Sequence, residues 1–392
     1  MERAMRNANG NRLATVMLLI MPLIIYLMFY LYPLLTVGSQ SVDNSTLYDQ
    51  FQTLSEVVED GSPDERAAAL VADLIAADRR DLAEAARNLN QERSGFRSLL
   101  IKSGKKAEEL PPTMEGLTAF DKRWGQQVYW DILARNIAPI TWRHFQKASG
   151  FKPDGDGGFV QAEGDDIYLR IMVRTIVIAT QVTLLTLLIG YPLAYAAANG
   201  KPRLATIVFM VVLLSFWTSI LVRTSAWVVL LQTHGLLNNL LIWLRIISEP
   251  LQLIFNRFGT VVAMTHVLLP FAILPIFNVM KTIPISQSDA SRSLGAGGIE
   301  TFLRVYFPQT LRGVAVGGGT VFILALGFYI TPALTGGPSD QMLSYYIADF
   351  VKKSLNWGMA SVLSVMLFGC VVLILGLGSG AWLLFKSRKG GR

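Results

Sequence analysis

The sequence predicts an all-α membrane protein: six transmembrane helices, both termini in the cytoplasm, and a helical insert on the outer face between spans 1 and 2. Three observations lead there. Apolar residues make up 52% of the 392-residue chain and charged ones 16%, well under the roughly 25% of a soluble domain. The apolar residues lie in uncharged runs of about 18 or more, long enough to cross about 30 Å of hydrocarbon as helix. The charge is also divided. Residues 39–169 hold 22 acidic and 15 basic side chains, whereas the rest of the chain holds 6 acidic and 20 basic. The basic excess therefore belongs to the membrane part, and no soluble basic domain is left to hold nucleic acid.

Span 1 (13–37) follows Arg3, Arg6 and Arg12 and contains Pro22 and Pro33. It is longer than the 7–15-residue core of a signal peptide, so it reads as a retained anchor. Span 2 (176–198) ends at Asn199-Gly-Lys-Pro-Arg. Spans 3 (204–231), 4 (260–280) and 5 (314–334) follow, and span 6 lies within 357–385, before a basic tail. The short basic segments are the N-terminus, the loop at Lys201, residues 286–313 and the tail. An even number of spans separates each from the others, so six helices with both ends inside satisfy the positive-inside rule at all four. Residues 235–255 are apolar enough for a seventh span, but Arg245, Glu249 and Pro250 interrupt them. Spanning would invert everything downstream, so the expectation is an outer amphipathic or re-entrant segment, and 342–353 reads the same way.

In the insert, Ser62-Pro-Asp-Glu is a capping box with proline at the first helical position. The stretch 65–89 has helical apolar spacing, and a second helix is expected over 114–136. The DGDGG run at 154–158 opens like a calcium loop. Phe159 stands where that loop needs glycine and Asp165 at its last ligand position, which favours a tight turn. The single cysteine, Cys370, excludes an internal disulfide. His144, His234 and His266 lack the spacing of metal ligands. His266 is expected as a hydrogen-bonded histidine between helices.

The segment 286–313, SQSDASRSLGAGGIETFLRVYFPQTLRG, is polar and glycine-punctuated. Ser286 with Asp289 forms a second capping box, Gly295 ends that short helix, and another short helix over 299–306 stops before Pro308. Helix, glycine turn, helix and proline stop make a rigid knob on the cytoplasmic face.

This pattern resembles the EAA loop of ABC-importer permeases: EAA, three residues, Gly, nine residues, Ile, one residue, Leu-Pro. Here it reads Asp289-Ala290-Ser291, Leu294 and then Gly295, Val305, Tyr306, Phe307-Pro308, with every spacing matched. The stretches GYPLAYAAA (190–198), SFWTSILVRTSAW (215–227), LLPFAILPIFNVM (268–280) and FILALGFYITPALTGGP (322–338) are similar to the spermidine/putrescine-type branch of binding-protein-dependent, type I importers.

The resemblance implies a bacterial inner-membrane permease subunit rather than an enzyme. It divides the chain into an N-terminal tail with helix 1 (1–38), a periplasmic helical insert (39–169) and a five-helix core (170–392) with its coupling loop at 284–312. It implies a second, different permease, two ATP-binding subunits and a periplasmic solute-binding protein. ATP and magnesium are expected on the partner ATPase, since this chain has no phosphate loop. The ATPase would grip Asp289, Ala290, Ser291, Leu294, Gly295, Val305 and Pro308, and Gly295→Asp would block uptake while the protein still inserts.

Candidates for the solute path are Trp217, Arg223, Thr224, Trp227, Tyr329 and Thr331. Arg223 is the main charge in an apolar stretch, and intramembrane charges are often functional. An interfacial arginine flanked by Trp217 and Trp227 reads equally well. The cargo is a small polar solute: a polyamine, an opine or an amino-acid-like compound, with thiamine-like compounds and phosphonates also open. An autonomous secondary transporter or channel is the alternative. It needs ion-coupling charges within the membrane, and these are scarce.

Overall fold

The structure, a computed structural model, describes residues 18–153, 159–161 and 166–389. Arg3, Arg6, Arg12, the first residues of span 1 and the 154–158 turn lie outside the described residues. Two compact units form: residues 1–165 with 353–366, and residues 166–352 with 367–392.

The first unit holds helix α1 (Leu18–Gln40), which is apolar throughout and has none of its most apolar window buried. Eight short helices follow: α2 (Ser45–Tyr48), α3 (Gln52–Val57), α4 (Pro63–Ala76), α5 (Arg79–Glu92), α6 (Phe96–Lys105), α7 (Met114–Phe120), α8 (Gln127–Asn136) and α9 (Arg143–Ser149). The capping box at α4 forms as expected, with Glu65 N donating to Ser62 Oγ at 3.3 Å and Ser62 N to Glu65 Oε2 at 2.7 Å. The long helical pattern after it breaks at Ala77. Asp78 then caps α5 by accepting from Arg80 N at 2.7 Å, because a short carboxylate competes well for free helix N–H groups. The second expected helix breaks likewise at Asp121, which accepts from Arg123 N. A three-residue antiparallel ladder pairs β1 (Phe151–Pro153) with β2 (Phe159–Gln161), and a single antiparallel bridge joins Asp43 to Ile140.

This unit has its own core. Phe51, Leu70, Leu89, Phe96, Leu99, Leu117, Trp124 and Leu133 are fully buried. Its buried indoles and the buried Asp73 carboxylate are paired, as burial favours. Trp124 Nε1 donates to Ser103 Oγ at 3.0 Å and Trp130 Nε1 to the Trp124 carbonyl at 2.7 Å. The buried Asp73 carboxylate accepts from the N–H groups of Thr53 and Leu54, the first turn of α3. Arg123 clasps Asp121 and donates to the Gly95 carbonyl. That guanidinium holds the Asp121 carboxyl well below the ordinary carboxylate range.

The second unit comprises α10 (Ile167–Asn199), α11 (Pro202–Trp217), α12 (Ile220–Leu231), α13 (Leu236–Trp243), α14 (Arg257–Lys281), α15 (Ile285–Ser293), α16 (Gly298–Gly327), α17 (Ile330–Thr335) and α18 (Leu343–Asp349). Helix α19 (Trp357–Lys389) contributes its residues from 367 onward. Helices α10, α14 and α16 form the core, centred on Ile178, Val182, Leu268, Ala272, Ile276, Val321 and Ala325. A Cβ on Gly317 would meet the Ala272 backbone at 3.0–3.2 Å, and one on Gly313 the Ile276 Cα at 3.0 Å. The small residues of α16 thus let two helices touch backbone to backbone.

Among the described residues six segments are long and apolar enough to cross a membrane: Leu18–Gln40, Ile167–Asn199, Ile220–Trp243, Arg257–Lys281, Gly298–Gly327 and Trp357–Gly378. The third differs from the expectation of one helix over 204–231. That stretch breaks at Thr218 and Ser219, both extended at ψ 139° and 143°, and Ser219 Oγ caps the new helix by accepting from Leu221 N. A hydroxyl side chain offers the backbone an alternative partner to the helix ladder. Residues 235–255 do not span by themselves. Helix α13 has eight residues, about 12 Å, and the fully buried Asn238 folds the following chain back through bonds to the N–H and carbonyl of Leu251.

Candidate coupling loop and solute path

Helix α15 begins two residues earlier than expected. Pro284, at φ −65° and ψ 130°, stands at the cap, so Ser286 lies inside the first turn and the Ser286–Asp289 capping box does not form. The helix terminates as glycine allows. Gly295 sits at φ +92°, with its N–H on the Arg292 carbonyl at 2.9 Å and the Ala296 N–H on the Ser291 carbonyl at 3.2 Å. These are the two bonds of a Schellman turn.

The proline stop is also corrected. Helix α16 runs unbroken through Pro308, because Phe302–Tyr306 form one wide π turn just before it. Proline lacks an N–H and crowds the preceding turn, and a wider turn accommodates both defects. Val305 lies within this π turn and Pro308 just after it, so neither marks a helix end.

Two side-chain bonds hold α15 against α16: Ser291 Oγ with Thr301 Oγ1 at 3.2 Å, and Gln309 Nε2 to Gln287 Oε1 at 2.8 Å. Beneath them, an aromatic cluster of Tyr191 and Tyr195 from α10 with Phe302, Tyr306 and Phe307 from α16 packs at centroid distances of 5.4–6.4 Å. Asn199 Nδ2 donates to the Tyr306 hydroxyl at 2.7 Å, and the Tyr191 and Thr310 hydroxyls meet at 3.1 Å. Sequence reasoning missed this cluster as a site. Its signal was the i, i+4 pairing of aromatic residues at 191/195 and 302/306.

The far side of the turn is bare. Leu294 is 90% exposed, Ile299 79% and Ile285 74%. Asp289 and Ala290 are exposed beside them. A rigidly braced polar turn thus carries three apolar side chains with nothing to pack on, the composition of a contact surface.

The path candidates divide into two groups. Thr224 and Thr331 are fully buried and meet at 3.0 Å, joining α12 to α17. Tyr329 lies at the break between α16 and α17, its hydroxyl accepting from Lys352 Nζ at 3.2 Å. Arg223 stands apart from these pairs. Its Nη1 donates to Ser215 Oγ at 3.2 Å and to the Val267 carbonyl at 3.4 Å, while its Nε is buried without a partner. Trp227, one turn on, packs its ring against His266 at 5.7 Å. His266 is exposed rather than enclosed between helices, and Trp217 is 89% exposed. Asp340 is 5% exposed and accepts from Arg257 Nε at 3.2 Å, so it is a structural partner and not a solvated loop carboxylate. Among the described residues no cluster of histidine, cysteine or carboxylate can hold a metal.

Residues 187–385 match the model of the binding-protein-dependent transport system inner membrane component family. The chain belongs to that family. It is therefore a permease subunit of an ABC importer, a multi-pass inner-membrane protein and not an enzyme, of the branch the sequence resembled. A spermidine/putrescine transport system permease protein PotB from Salmonella typhimurium is 27% identical over 213 residues, 54% of this permease and 74% of the relative. The PotB of Haemophilus influenzae is 29% identical over 209 residues, 53% and 73% of the two chains. An inner membrane ABC transporter permease, YdcU of Escherichia coli, is 30% identical over 195 residues, 46% and 60%. Among solved structures, a bacterial alginate ABC transporter in complex with its pentasaccharide-bound periplasmic protein superposes with a TM-score of 0.43 at 17% identity, covering 55% of the permease and 77% of that chain. The insert lies outside the family match.

Proposed function

We propose that the permease is one half of the membrane channel of an ATP-driven importer that carries a small polar solute of the polyamine class from periplasm to cytoplasm by alternating access. The observation that carries this reading is the braced Schellman turn with Leu294, Ile299 and Ile285 bare on its far side. Its spacing from Asp289 to Pro308 resembles the loop that ATPase subunits grip. In this reading Asp289, Ala290, Ser291, Leu294, Gly295, Val305 and Pro308 form the grip of an ATP-binding subunit, which carries ATP and magnesium. Two such subunits sit on the cytoplasmic side with both termini of the permease. A periplasmic solute-binding protein delivers cargo, and the helical insert at 39–169 helps to seat it. The second permease differs in sequence from this one. The spermidine and putrescine named for its relatives support the cargo class.

The solute path takes Tyr329, and Trp217, Arg223 and Trp227 border it at the contact with the second permease rather than touching the cargo. Thr224 and Thr331 hold the α12–α17 contact that positions them. The test is co-purification from the native membrane in mild detergent with every partner counted, together with uptake of labelled putrescine and spermidine. A complex with two ATP-binding chains, and uptake lost in Leu294→Asp, is the expected result. A permease that purifies alone and transports without an ATPase overturns the reading in favour of an autonomous transporter.

A further inference from the structure

Among the described residues Arg223 is a cation without a counter-charge. Its two recorded acceptors, Ser215 Oγ and the Val267 carbonyl, are neutral, and its Nε is buried with no acceptor at all. It lies in the second turn of α12, inside the segment Ile220–Trp243 that is apolar enough to cross the bilayer. An isolated charge is costly there and is found paired or facing a polar cavity. Among the described residues of the six candidate spans, the single carboxylate is Glu300, which already holds Arg304 at 2.8 Å. None of these described spans therefore offers Arg223 an unpaired anion.

The surroundings of Arg223 are open. Leu221, Val222 and Val229 on the same helix are 53%, 62% and 62% exposed, Trp217 is 89% exposed, and His266 beside Trp227 is exposed as well. Two indoles, an imidazole and a guanidinium make a poor surface for lipid tails and a good one for a partner helix, where aromatic residues and arginine serve as anchors.

We infer that this face of α12 and α14 docks a second permease, different in sequence, that presents an aspartate or glutamate from one of its own spans to Arg223. A second copy of this chain does not fit, for it would bring another arginine, and the one carboxylate in its described candidate spans, Glu300, is already paired with Arg304. Nor does the cargo supply the charge, if the polyamine reading holds, because an ammonium repels a guanidinium. The inference rests on that reading for this one step. A carboxylate–guanidinium pair at the interface also fixes the register of the two subunits.

The test uses the complete complex with its native second permease and ATP-binding subunits, and reads assembly apart from transport. Arg223→Asp should lower recovery of the second permease at least tenfold, and Arg223→Lys should keep it. Each Asp or Glu in the spans of the second permease is then changed singly to Lys in the Arg223→Asp background. One of these swaps should restore recovery, and that rescue shows the variant chain to be folded. The inference is overturned if no swap restores assembly, if the second permease has no carboxylate in its spans, or if Arg223→Asp assembles normally and only uptake is lost. Recovery involves no cargo, so failure of putrescine and spermidine uptake in the wild-type complex would count against the polyamine reading alone.

Discussion

Replacing Gly295 by alanine separates backbone conformation from every other property of the proposed coupling loop. Gly295 sits at φ +92°, and a Cβ built there meets nothing within 4 Å. The substitution therefore adds no clash and removes no contact. What remains is the cost of holding an L-residue in the left-handed region, roughly 1–2 kcal/mol, which is a factor of about 5–30 in the equilibrium between formed and unformed turn. Gly297 and Gly298 are also open within 4 Å, but Gly297 lies at φ −66°, which any residue adopts. Alanine at 297 is the internal control. With purified permease complex stripped of its ATPase, titration of the ATP-binding subunit should show Gly295→Ala weakening affinity by about 5–30-fold. Gly295→Asn should lose less, since asparagine visits this region, and Gly297→Ala should bind as wild type. Equal affinities for alanine at 295 and 297 would refute the reasoning, because the two variants differ chiefly in backbone sign.

Three further outcomes follow from contacts described above. Leu294→Ala removes a side chain that is 90% exposed, so thermal unfolding should be unchanged while ATPase affinity falls by about 2 kcal/mol or more, as for an interface anchor. Gly317→Val drives two methyl groups into the Ala272 backbone and should abolish uptake and lower the melting temperature, whereas Gly319→Val, with open space around it, should do neither. Burial, reinforced by the charges of Arg143 and Lys147, pushes the His144 imidazole down to about 3. The folded insert holds this ring neutral, while the unfolded chain protonates it near pH 6.5. The stability it contributes is thus complete above pH 6.5 and is lost as pH falls toward 3, at about 1.4 kcal/mol per pH unit. Melting curves between pH 7.5 and 5 should show a loss of about 2 kcal/mol that flattens in His144→Gln.

The number of spans and the helical insert were legible in the sequence, since apolar run length and charge placement are properties of composition. The turn at Gly295 was legible too, because few residues besides glycine take that backbone sign cheaply. What escaped were competitions between local and tertiary forces. Pro284 displaced the cap that Ser286 promised, and Asp78 and Asp121 broke helices whose apolar period continued past them. Pro308 looked like a stop because a π turn five residues long leaves no mark in periodicity. Span 3 looked continuous because Thr218 and Ser219 are common enough in helices, and the break appears only when Ser219 caps the next one. Path residues were the hardest to read. Thr224 and Thr331 are chemically suited to line a cavity, yet they bond to each other across 107 residues of chain.

The π turn at Phe302–Tyr306 has a mechanical consequence. By absorbing the proline, it lets α16 run as a single shaft of 30 residues, about 45 Å long, from the tip of the loop into the centre of the helix bundle. A hinge at Pro308 would dissipate a push from below within one turn of helix. A stiff shaft works as a lever: pivoting one end by about 10° sweeps the other through about 8 Å. Tyr191 and Tyr195 bear on that lever close to its lower end and so stand where a fulcrum would. In the proposed coupling role, the distance from this aromatic bearing to the tip sets the stroke.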